Sequence, residues 1–374
     1  MHIIALKMLF GDKVKFTTLI CGIAFAVLLI TQQGSIFCGL MLRTGSTIFD
    51  TGAEIWVSDP GATSLNNPVS LRTTELQRVK SIDEVAHAAP FLMHSTVAQA
   101  DTGETGLIQL IGLDDETLMG IPRDLIAGDF KALNTPDGVF VTTSRREYFG
   151  APDLGDYFEI NDHRVKVVGV LDANKNFTPF PSVYTTYNKA LQILPPRAKY
   201  LSFILVTPEK GISPENLCSQ IEKETGLKAL TQRDFFIKTM LYWAKNTGIP
   251  INFGITVVLG IIIGIAISIQ TLYTFMVENM KQFGTFKAIG ISNSELISMI
   301  FLQSSFVALI GYGLGVGLMA VMGLSLPRNG ELAFYTPYQL LIIAFILVFF
   351  FCSLASLVSI RQVMKIEPAI VFKG

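Results

Sequence analysis

Four long uncharged stretches divide this sequence of 374 residues and constrain its fold more than any other feature. They contain no Asp, Glu, Lys, Arg or His, and they cover residues 16–42, 246–277, 296–326 and 337–360. Each stretch exceeds the roughly 20 residues that a helix needs to cross a hydrocarbon core of about 30 Å. Because 50% of the residues are hydrophobic and only 16% are charged, we predict four transmembrane helices.

Basic residues in the short segments between these stretches indicate how the spans are oriented. Lys281 and Lys287 lie between the second and third stretches, whereas the turn 327–336 carries only a single arginine. The other basic residues lie before the first stretch and after the fourth: Lys7, Lys13, Lys15, Arg361, Lys365 and Lys373. Short segments rich in Lys and Arg stay in the cytoplasm.

The positive-inside rule therefore predicts the side on which each segment lies. Residues 1–15, 278–295 and 361–374 are predicted to be cytoplasmic. The turn 327–336 and the large region 43–245 are predicted to lie on the periplasmic side.

Strand and helix patterns are interspersed in the region 43–245 without a strict βαβ rhythm. The predicted strands are 54–58, the surroundings of Val97, 107–113, 139–142, 157–160, 164–170, 182–186, 201–206 and 227–230. Asn161 and Asp162 form a turn signal that predicts a hairpin from the strands 157–160 and 164–170. The predicted helices are 73–81, 187–194, 214–224 and a stalk-like helix, 231–245, which leads into the second span. This mixture predicts a large α+β domain inserted between the first and second spans.

The sequence contains no motif that would give this chain a catalytic, metal or cofactor site. The dipeptide Gly-Lys never occurs, so a P-loop for ATP is excluded. Neither HExxH nor G-x-S-x-G occurs. The four histidines and four cysteines lie far apart, which favours ordinary packed or solvated side chains over a metal or redox site. We therefore expect a chain that is not itself an enzyme.

The uncharged spans also disfavour a polar path through the membrane. Ion channels, proton relays and secondary transporters place charged or histidine side chains inside the bilayer, and these four stretches contain no Asp, Glu, Lys, Arg or His. The first two stretches are longer than a bilayer core requires, so we interpret them as rods that transmit motion.

Residues 278–295 form a polar interruption that predicts an amphipathic helix at the membrane surface. Phe283, Phe286 and Ile289 recur every three residues, so on a helix they form one apolar stripe. Ser292 and Glu295 have the spacing of a capping box that begins the third span. We interpret this segment as a coupling element on which a cytoplasmic partner pushes. The alternative is an interfacial helix whose apolar face only dips into lipid.

Glycines at helical spacing indicate close packing between the spans. The pairs are Gly260 with Gly264, Gly311 with Gly315, and Gly313 with Gly317. Small residues let two backbones approach, either within one subunit or across a dimer interface. The pattern alone leaves both arrangements open.

Two cytoplasmic runs resemble motifs of a known family. Residues 281–290, KQFGTFKAIG, are similar to a coupling signature in which a charged helix end leads into G-x-(L/F)-(K/R)-A-(I/L)-G. Residues 360–369, IRQVMKIEPA, resemble a closing motif in which a basic residue is followed by Pro-Ala. Both motifs belong to the permease subunits of the MacB/FtsX/LolC type of ABC transporter. That family, of type VII architecture, also has one span, a large outer domain and three further spans.

Within this family the first sixty residues look most like the DevC branch, at residues 22–26, 32–34 and 53–61. One departure is that the family's coupling element usually begins with more charged residues than ENMKQ, the sequence at 278–282. This departure bears on which side chains make polar contacts with the ATPase.

The resemblance implies a homodimer of this subunit bound to a dimer of a separate cytoplasmic ATPase, which binds ATP and Mg²⁺. It implies that closure of the ATPase moves the helices and the outer domain, while substrate does not pass between the spans. The residues implied to couple to the ATPase are Lys281, Phe283, Gly284, Phe286, Lys287, Ala288, Ile289 and Gly290.

A DevC-like subunit of the bacterial inner membrane further implies a periplasmic adaptor (membrane fusion protein) and an outer-membrane, TolC-like channel. The implied cargo is a glycolipid, a peptide or a similar amphipathic molecule. Two alternatives within the family stay open. One is an FtsX-like regulator of a periplasmic cell-wall hydrolase, and the other is a LolC/E-like subunit that extracts lipoproteins.

Overall fold

A computed structural model describes residues 2–11, 13–195, 200–326 and 332–364 of the chain. The chain divides into two compact units. The membrane unit comprises Met1–Leu40 and Gly248–Gly374, and the inserted domain comprises Met41–Thr247.

The described residues form eleven α-helices. They are α1 (His2–Gly11), α2 (Lys13–Arg43), α3 (Ser46–Asp50), α4 (Thr73–Lys80), α5 (Tyr187–Ile193), α6 (Pro214–Thr225), α7 (Gln232–Asn246), α8 (Ile249–Glu278), α9 (Met280–Ala288), α10 (Asn293–Ser325) and α11 (Tyr338–Met364). Four of them are long and apolar enough to cross a membrane, namely α2, α8, α10 and the Tyr338–Leu357 part of α11. The predicted fold class, four membrane helices with a large α+β domain between the first and second, is confirmed.

Local signals explain where the membrane helices begin. α8 starts at Ile249, later than the predicted residue 246, because the stalk-like α7 continues to Asn246 and Pro250 occupies the first turn of the new helix. α10 starts at Asn293 because Ser292 caps it. Residues 327–331 of the predicted turn and residues 365–374 of the predicted tail lie outside the described residues.

The inserted domain is built on one ten-stranded sheet. Its strands are β1 (Ile55–Ser58), β2 (Val85–Ala100), β3 (Thr105–Leu113), β4 (Leu125–Gly128), β5 (Gly138–Thr142), β6 (Tyr157–Ile160), β7 (His163–Leu171), β8 (Ser182–Thr186), β9 (Phe203–Pro208) and β10 (Lys228–Thr231). Along the sheet their order is β10-β1-β9-β2-β3-β8-β5-β7-β4, and β6 pairs with both β2 and β7.

Part of this sheet follows a split βαβ arrangement. The elements β1, α4, β2, β9, α6 and β10 follow one another around the inserted strands, and their four strands lie in the antiparallel order β10-β1-β9-β2. That order is typical of ferredoxin-like domains. β2 belongs to both parts of the sheet, because its residues 85–91 pair with β9 and its residues 92–99 pair with β3.

Both faces of the sheet are covered, so the domain has two hydrophobic cores. One core includes Val79 of α4, Ala190 of α5 and Ile221 of α6. The other core includes residues of α3 and α7, the two helices that adjoin the spans in the chain. In this second core Trp56 of β1 stacks on Phe235 of α7, with ring centroids 5.2 Å apart. The aromatic contact anchors α7 to the sheet.

Turn chemistry accounts for the hairpin that the sequence predicts at 157–170. Asn161 and Asp162 both have positive φ values, 47° and 63°, and β6 pairs with β7 on either side of them. This geometry is that of a type I′ turn, whose twist matches that of the flanking strands. The sequence analysis did not identify α3, β4 or most of β2. Pro90 lies inside β2, where a proline argues against a strand.

Lys189 of α5 holds the segment that precedes β5. Its ammonium group donates hydrogen bonds to the carbonyl oxygens of Leu133, Thr135 at 2.6 Å and Gly138 at 3.5 Å. Burial lowers the pKa of Lys189 from its ordinary value, and the nearby carboxylates oppose this shift. The lysine therefore acts as a structural donor for three backbone carbonyl groups.

We predict that Lys189→Met loosens residues 130–138 while preserving most of the side-chain stem. The three carbonyl groups lose a charged donor, which costs about 1.5–3 kcal/mol. Limited proteolysis with chymotrypsin should therefore cleave the variant faster at Phe130 than the wild type. Lys210→Met, which alters an exposed lysine elsewhere in the inserted domain and keeps the scissile bond unchanged, should leave the cleavage rate unchanged. A wild-type rate for Lys189→Met would contradict this role.

Candidate functional site

A single residue, Asn279, joins α8 to α9 and positions the predicted coupling element. Asn279 lies between the two helices with φ −90° and ψ 13°, and its side-chain amide donates to the carbonyl oxygen of Phe275 at 2.8 Å. Its own carbonyl oxygen accepts from the backbone N–H of Phe283 at 3.1 Å. Asn279 thus satisfies backbone groups at the end of α8 and at the start of α9.

The predicted apolar stripe is divided between the helix bundle and the surface. Phe283 is fully buried in the core of the membrane unit, and Phe286 is half-buried beside it with ring centroids 6.4 Å apart. Ile289 is 71% exposed. The division arises because three-residue steps drift around a helix of 3.6 residues per turn, so Ile289 lies about 120° around α9 from Phe283. Phe283 and Phe286 anchor α9 to the bundle, and Ile289 is available for a partner.

The end of α9 is a Schellman motif centred on Gly290. The N–H of Ile291 donates to the carbonyl oxygen of Phe286 at 3.0 Å, and the N–H of Gly290 donates to that of Lys287 at 3.1 Å. Gly290 has φ +91°, a conformation that glycine adopts without strain. The turn therefore fixes the position of Ile289 at the tip of the element.

The capping box at the start of α10 is formed by Ser292 and Glu295. The backbone N–H of Glu295 donates to Ser292 Oγ at 3.3 Å, and the backbone N–H of Ser292 donates to Glu295 Oε2 at 3.1 Å. A cap of this kind satisfies two donors at the helix start. Together with the Schellman motif it makes the connection from α9 to α10 a short and well-determined turn.

The side chains predicted to contact an ATPase therefore fall into two groups. Phe283 and Gly284 are buried, and Phe286 and Lys287 are half-buried. The exposed members are Lys281, Ala288, Ile289 and Gly290, together with Gln282 and Thr285, which the sequence analysis did not select. The exposed group combines one basic, two polar and two apolar side chains.

An ion pair joins the two spans that flank the inserted domain. Lys15, near the start of α2, pairs with Glu278, the last residue of α8. Glu278 directly precedes the turn into α9. The first span is thus tied to the base of the coupling element by charge.

Four of the six predicted packing glycines lie against α2, the first span. A Cβ atom at Gly311 would lie 2.6 Å from Ile23 Cγ2, and one at Gly315 would lie 2.6 Å from the carbonyl oxygen of Ala24. In α8, a Cβ atom at Gly264 would lie 2.9 Å from the Cβ atom of Ala26. A Cβ atom at Gly260 would lie 3.5 Å from side-chain atoms of Leu29 and Ile30. α8 and α10 both approach α2 closely at these positions.

Gly313 and Gly317 point elsewhere. A Cβ atom at either position would meet no atom of the described residues within 4 Å. The two overlapping motifs of α10 therefore separate into one face that packs on α2 and one that does not. α2 is the most enclosed span, since 44% of its most apolar window is buried against 22–33% for the other three.

The sequence analysis missed one element of this site, the helix α1. Its residues Ala5 and Leu9 are buried, and Gln303 of α10 donates from Nε2 to the carbonyl oxygen of Ala5 at 2.8 Å. The ring of Phe10 packs against that of Phe306 of α10, with ring centroids 5.8 Å apart. α1 is therefore attached to the helix that follows the coupling element. The signal in the sequence was Gln303 itself, a polar side chain within an apolar span that needs a hydrogen-bond partner.

Two family models match the sequence. Residues 16–224, more than half of the chain, match the MacB-like periplasmic core domain. Residues 254–368 match the FtsX-like permease C-terminal domain. The first match covers the first span and most of the inserted domain, and the second covers the coupling element and the last three spans.

The chain is also similar in sequence to other permeases and to the outer domains of two solved proteins. An uncharacterised ABC transporter permease of Mycobacterium tuberculosis is 22% identical over 97% of this chain and 96% of its own length. The periplasmic region of MacB from Actinobacillus actinomycetemcomitans is 13% identical and covers 53% of this chain and 94% of that one, with a TM-score of 0.38. The extracellular domain of the noncanonic ABC-type transporter YknZ from Gram-positive bacteria is 16% identical and covers 48% and 98%, with a TM-score of 0.35.

We predict that Gly315→Ala and Gly317→Ala have different effects although they lie two positions apart in α10. A methyl group at position 315 collides with the backbone of α2 and should destabilise the bundle by about 1–3 kcal/mol. The same change at position 317 meets open space, and the gain in helix propensity is common to both. The midpoint of unfolding by SDS in mixed micelles measures the difference. Equal midpoints would contradict the packing described here.

Proposed function

The chain belongs to the ABC transporter permeases that combine a MacB-like periplasmic core domain with an FtsX-like C-terminal domain, and we propose that it transmits the motion of a separate ATPase to its inserted domain. In this proposal the work of ATP hydrolysis reaches the outer side as movement of helices. The cargo does not pass between the spans.

The observation that most supports this proposal is the construction of the coupling element. α9 is fixed to the bundle on one side by Phe283, and it presents an exposed tip at Ile289 on the other. A Schellman motif and a capping box hold both ends of the connection from α9 to α10. A force applied at the tip is therefore applied to α8 and α10 together.

The packing around α2 supports the next step of the proposal. Gly264 of α8 and Gly315 of α10 both approach this span closely, so the span cannot slide past them without a clash. The pair of Lys15 with Glu278 adds a charged link at the base of the coupling element. α2 continues to Arg43 and then enters the inserted domain, so movement of the bundle is passed on to that domain.

The composition of the spans argues against a polar path. The four uncharged stretches of the sequence contain no Asp, Glu, Lys, Arg or His, whereas transport pathways for ions and polar solutes use such groups. We infer that cytoplasmic termini and a cytoplasmic α9 accompany a periplasmic inserted domain, because the basic residues of the short segments cluster on one side.

The partners in this proposal follow from the family. A second copy of the chain and a dimer of a cytoplasmic ATPase, which binds ATP and Mg²⁺, complete the membrane complex. A periplasmic adaptor and an outer-membrane channel of the TolC type extend it in the DevC-like version that we favour. The machine then exports an amphipathic cargo from the inner membrane or periplasm.

We predict that Ile289→Asp abolishes coupling while leaving the protein folded in the membrane. Ile289 is exposed, so its replacement leaves no cavity, but a carboxylate at the tip would be buried unpaired against the ATPase. Binding should weaken at least tenfold, the equivalent of about 1.4 kcal/mol. Co-purification of the ATPase, its stimulated activity and export are the measurements.

Two controls make this experiment specific. Ile289→Val keeps an apolar tip and should retain ATPase binding. Asn293→Asp adds the same charge at an exposed position in the first turn of α10, where a helix N-terminus favours it, and should also retain binding. Normal ATPase recovery and export in Ile289→Asp would overturn the proposed function.

A further inference from the structure

Within the inserted domain, the connection between β7 and β8 touches both helices that adjoin the spans in the chain. We propose that residues 172–181, here called the strap, fasten α3 and α7 to the sheet, and that the fastening at Asp50 closes when this residue takes up a proton. The strap would then set how firmly the two membrane-adjoining helices move with the sheet. This consequence for transmission rests on the proposed function, whereas the strap itself does not.

The strap contacts α3 through its asparagine. Asn174 Nδ2 donates to Oδ1 of Asp50, the last residue of α3, at 2.6 Å. α3 is itself joined to α7, because Gln232 Nε2 donates to the carbonyl oxygen of Ile48 at 3.0 Å. The Asp50–Asn174 bond thus attaches the strap to a pair of helices that already contact each other.

The strap contacts α7 directly through an aromatic pair. The ring of Phe177 lies against that of Trp243, with centroids 4.4 Å apart. The indole Nε1 of Trp243 and the hydroxyl of Thr178, the residue after Phe177, are buried without a hydrogen-bond partner among the described residues. Buried polar groups without partners destabilise the arrangement that buries them. These two unpaired groups disfavour the closed arrangement, so opening the strap relieves their burial.

The other side of the strap is bound to the sheet. Arg145, which follows β5 and has φ +63°, donates from Nη1 to the carbonyl oxygen of Thr178 at 2.5 Å. Asn176 Nδ2 donates to the hydroxyl of Ser182, the first residue of β8, at 3.4 Å. Thr143 Oγ1 donates to Oδ1 of Asp172 at 3.3 Å. The strap is thus fixed to the sheet at its start, middle and end.

The charges around Asp50 determine the direction of the proton dependence. Burial raises the pKa of Asp50 to about 6, the bonds from Asn174 oppose this shift, and the carboxylates of Asp124 and Asp172 add to it. Tyr184 of β8 is fully buried and also faces Asp50; burial, with the charge of Asp50, raises its pKa, so it remains neutral.

The sign of the effect follows from these shifts. When the strap opens, Asp50 becomes solvated and its pKa returns towards the ordinary value of 3.8. The closed form therefore binds the proton more tightly than the open form. Proton-linked stabilisation of the closed strap is complete below the ordinary pKa and is lost as the pH rises through about 6.

Hydrogen exchange of the full-length protein in lipid nanodiscs tests this proposal. Exchange rates of strap amides, corrected for the chemical effect of pH, are compared at about pH 5 and about pH 7.5, on either side of the raised pKa. We expect strap amides of the wild type to exchange about tenfold more slowly at the lower pH, since two pKa units allow at most about a hundredfold. Amides of β5 and β8 should show no such change.

Three variants complete the experiment. Asp50→Asn keeps an oxygen acceptor for Asn174 but does not titrate, so its strap should be equally protected at both pH values. Asp83→Asn removes an exposed carboxylate elsewhere in the inserted domain and should retain the wild-type response. Phe177→Ala should speed strap exchange at both pH values because the contact with Trp243 is lost.

Two outcomes would overturn the proposal. One is a wild-type pH response in Asp50→Asn, and the other is a pH response spread evenly over the whole inserted domain. Since no ATPase is present in this experiment, its failure is separate from any failure of the Ile289→Asp test.

Discussion

Close packing between helix backbones at glycine is the interaction on which the membrane part of this protein depends. Lipid tails are as apolar as leucine side chains, so burial of apolar surface alone does not hold spans together. Contact at Gly264 and Gly315 instead brings α8 and α10 against α2. α2 is consequently the most enclosed span, and it is also the one that continues into the inserted domain. In the proposed function, movement of α8 or α10 would therefore move α2 as well.

The coupling element is held in place by local hydrogen bonds at the ends of its helices. Backbone groups at a helix terminus must find partners, and in α9 and α10 they find them locally in Asn279, the Schellman turn at Gly290 and the Ser292–Glu295 box. The connection therefore needs no partner in order to be well determined. In the proposed function, an ATPase at the exposed tip would meet a preformed surface, so little of its binding energy would be spent on ordering the element.

Short-range patterns predicted a large part of this structure. Uninterrupted apolar stretches predicted the spans, because a membrane admits few other arrangements. Ser292 and Glu295 predicted the start of α10, and Asn161 with Asp162 predicted a hairpin, since each signal acts within a few residues. Gly313 and Gly317 had the same spacing as their neighbours in α10, but which face packs on α2 depends on a contact far away in sequence.

The features that could not be predicted depend on tertiary contacts. Phe283, Phe286 and Ile289 recur every three residues and so drift around α9, and which of them reaches the bundle depends on how α9 packs. β2 contains Pro90 and a run of consecutively buried residues, so it lacks the alternation of an ordinary strand. Its role in joining both parts of the sheet follows from pairings with distant strands.

The central claim is that work crosses the membrane as movement of helices and not by passage between them. Cys352 of α11 offers a direct test because its side chain is only 2% exposed within the bundle. In a variant with the other three cysteines replaced by serine, the permease and its ATPase would be treated with a water-soluble maleimide during ATP turnover. The account predicts that Cys352 stays unmodified while an introduced control, Asp83→Cys, is labelled. Rapid modification of Cys352 that depends on ATP would reveal a water-filled path and contradict the account.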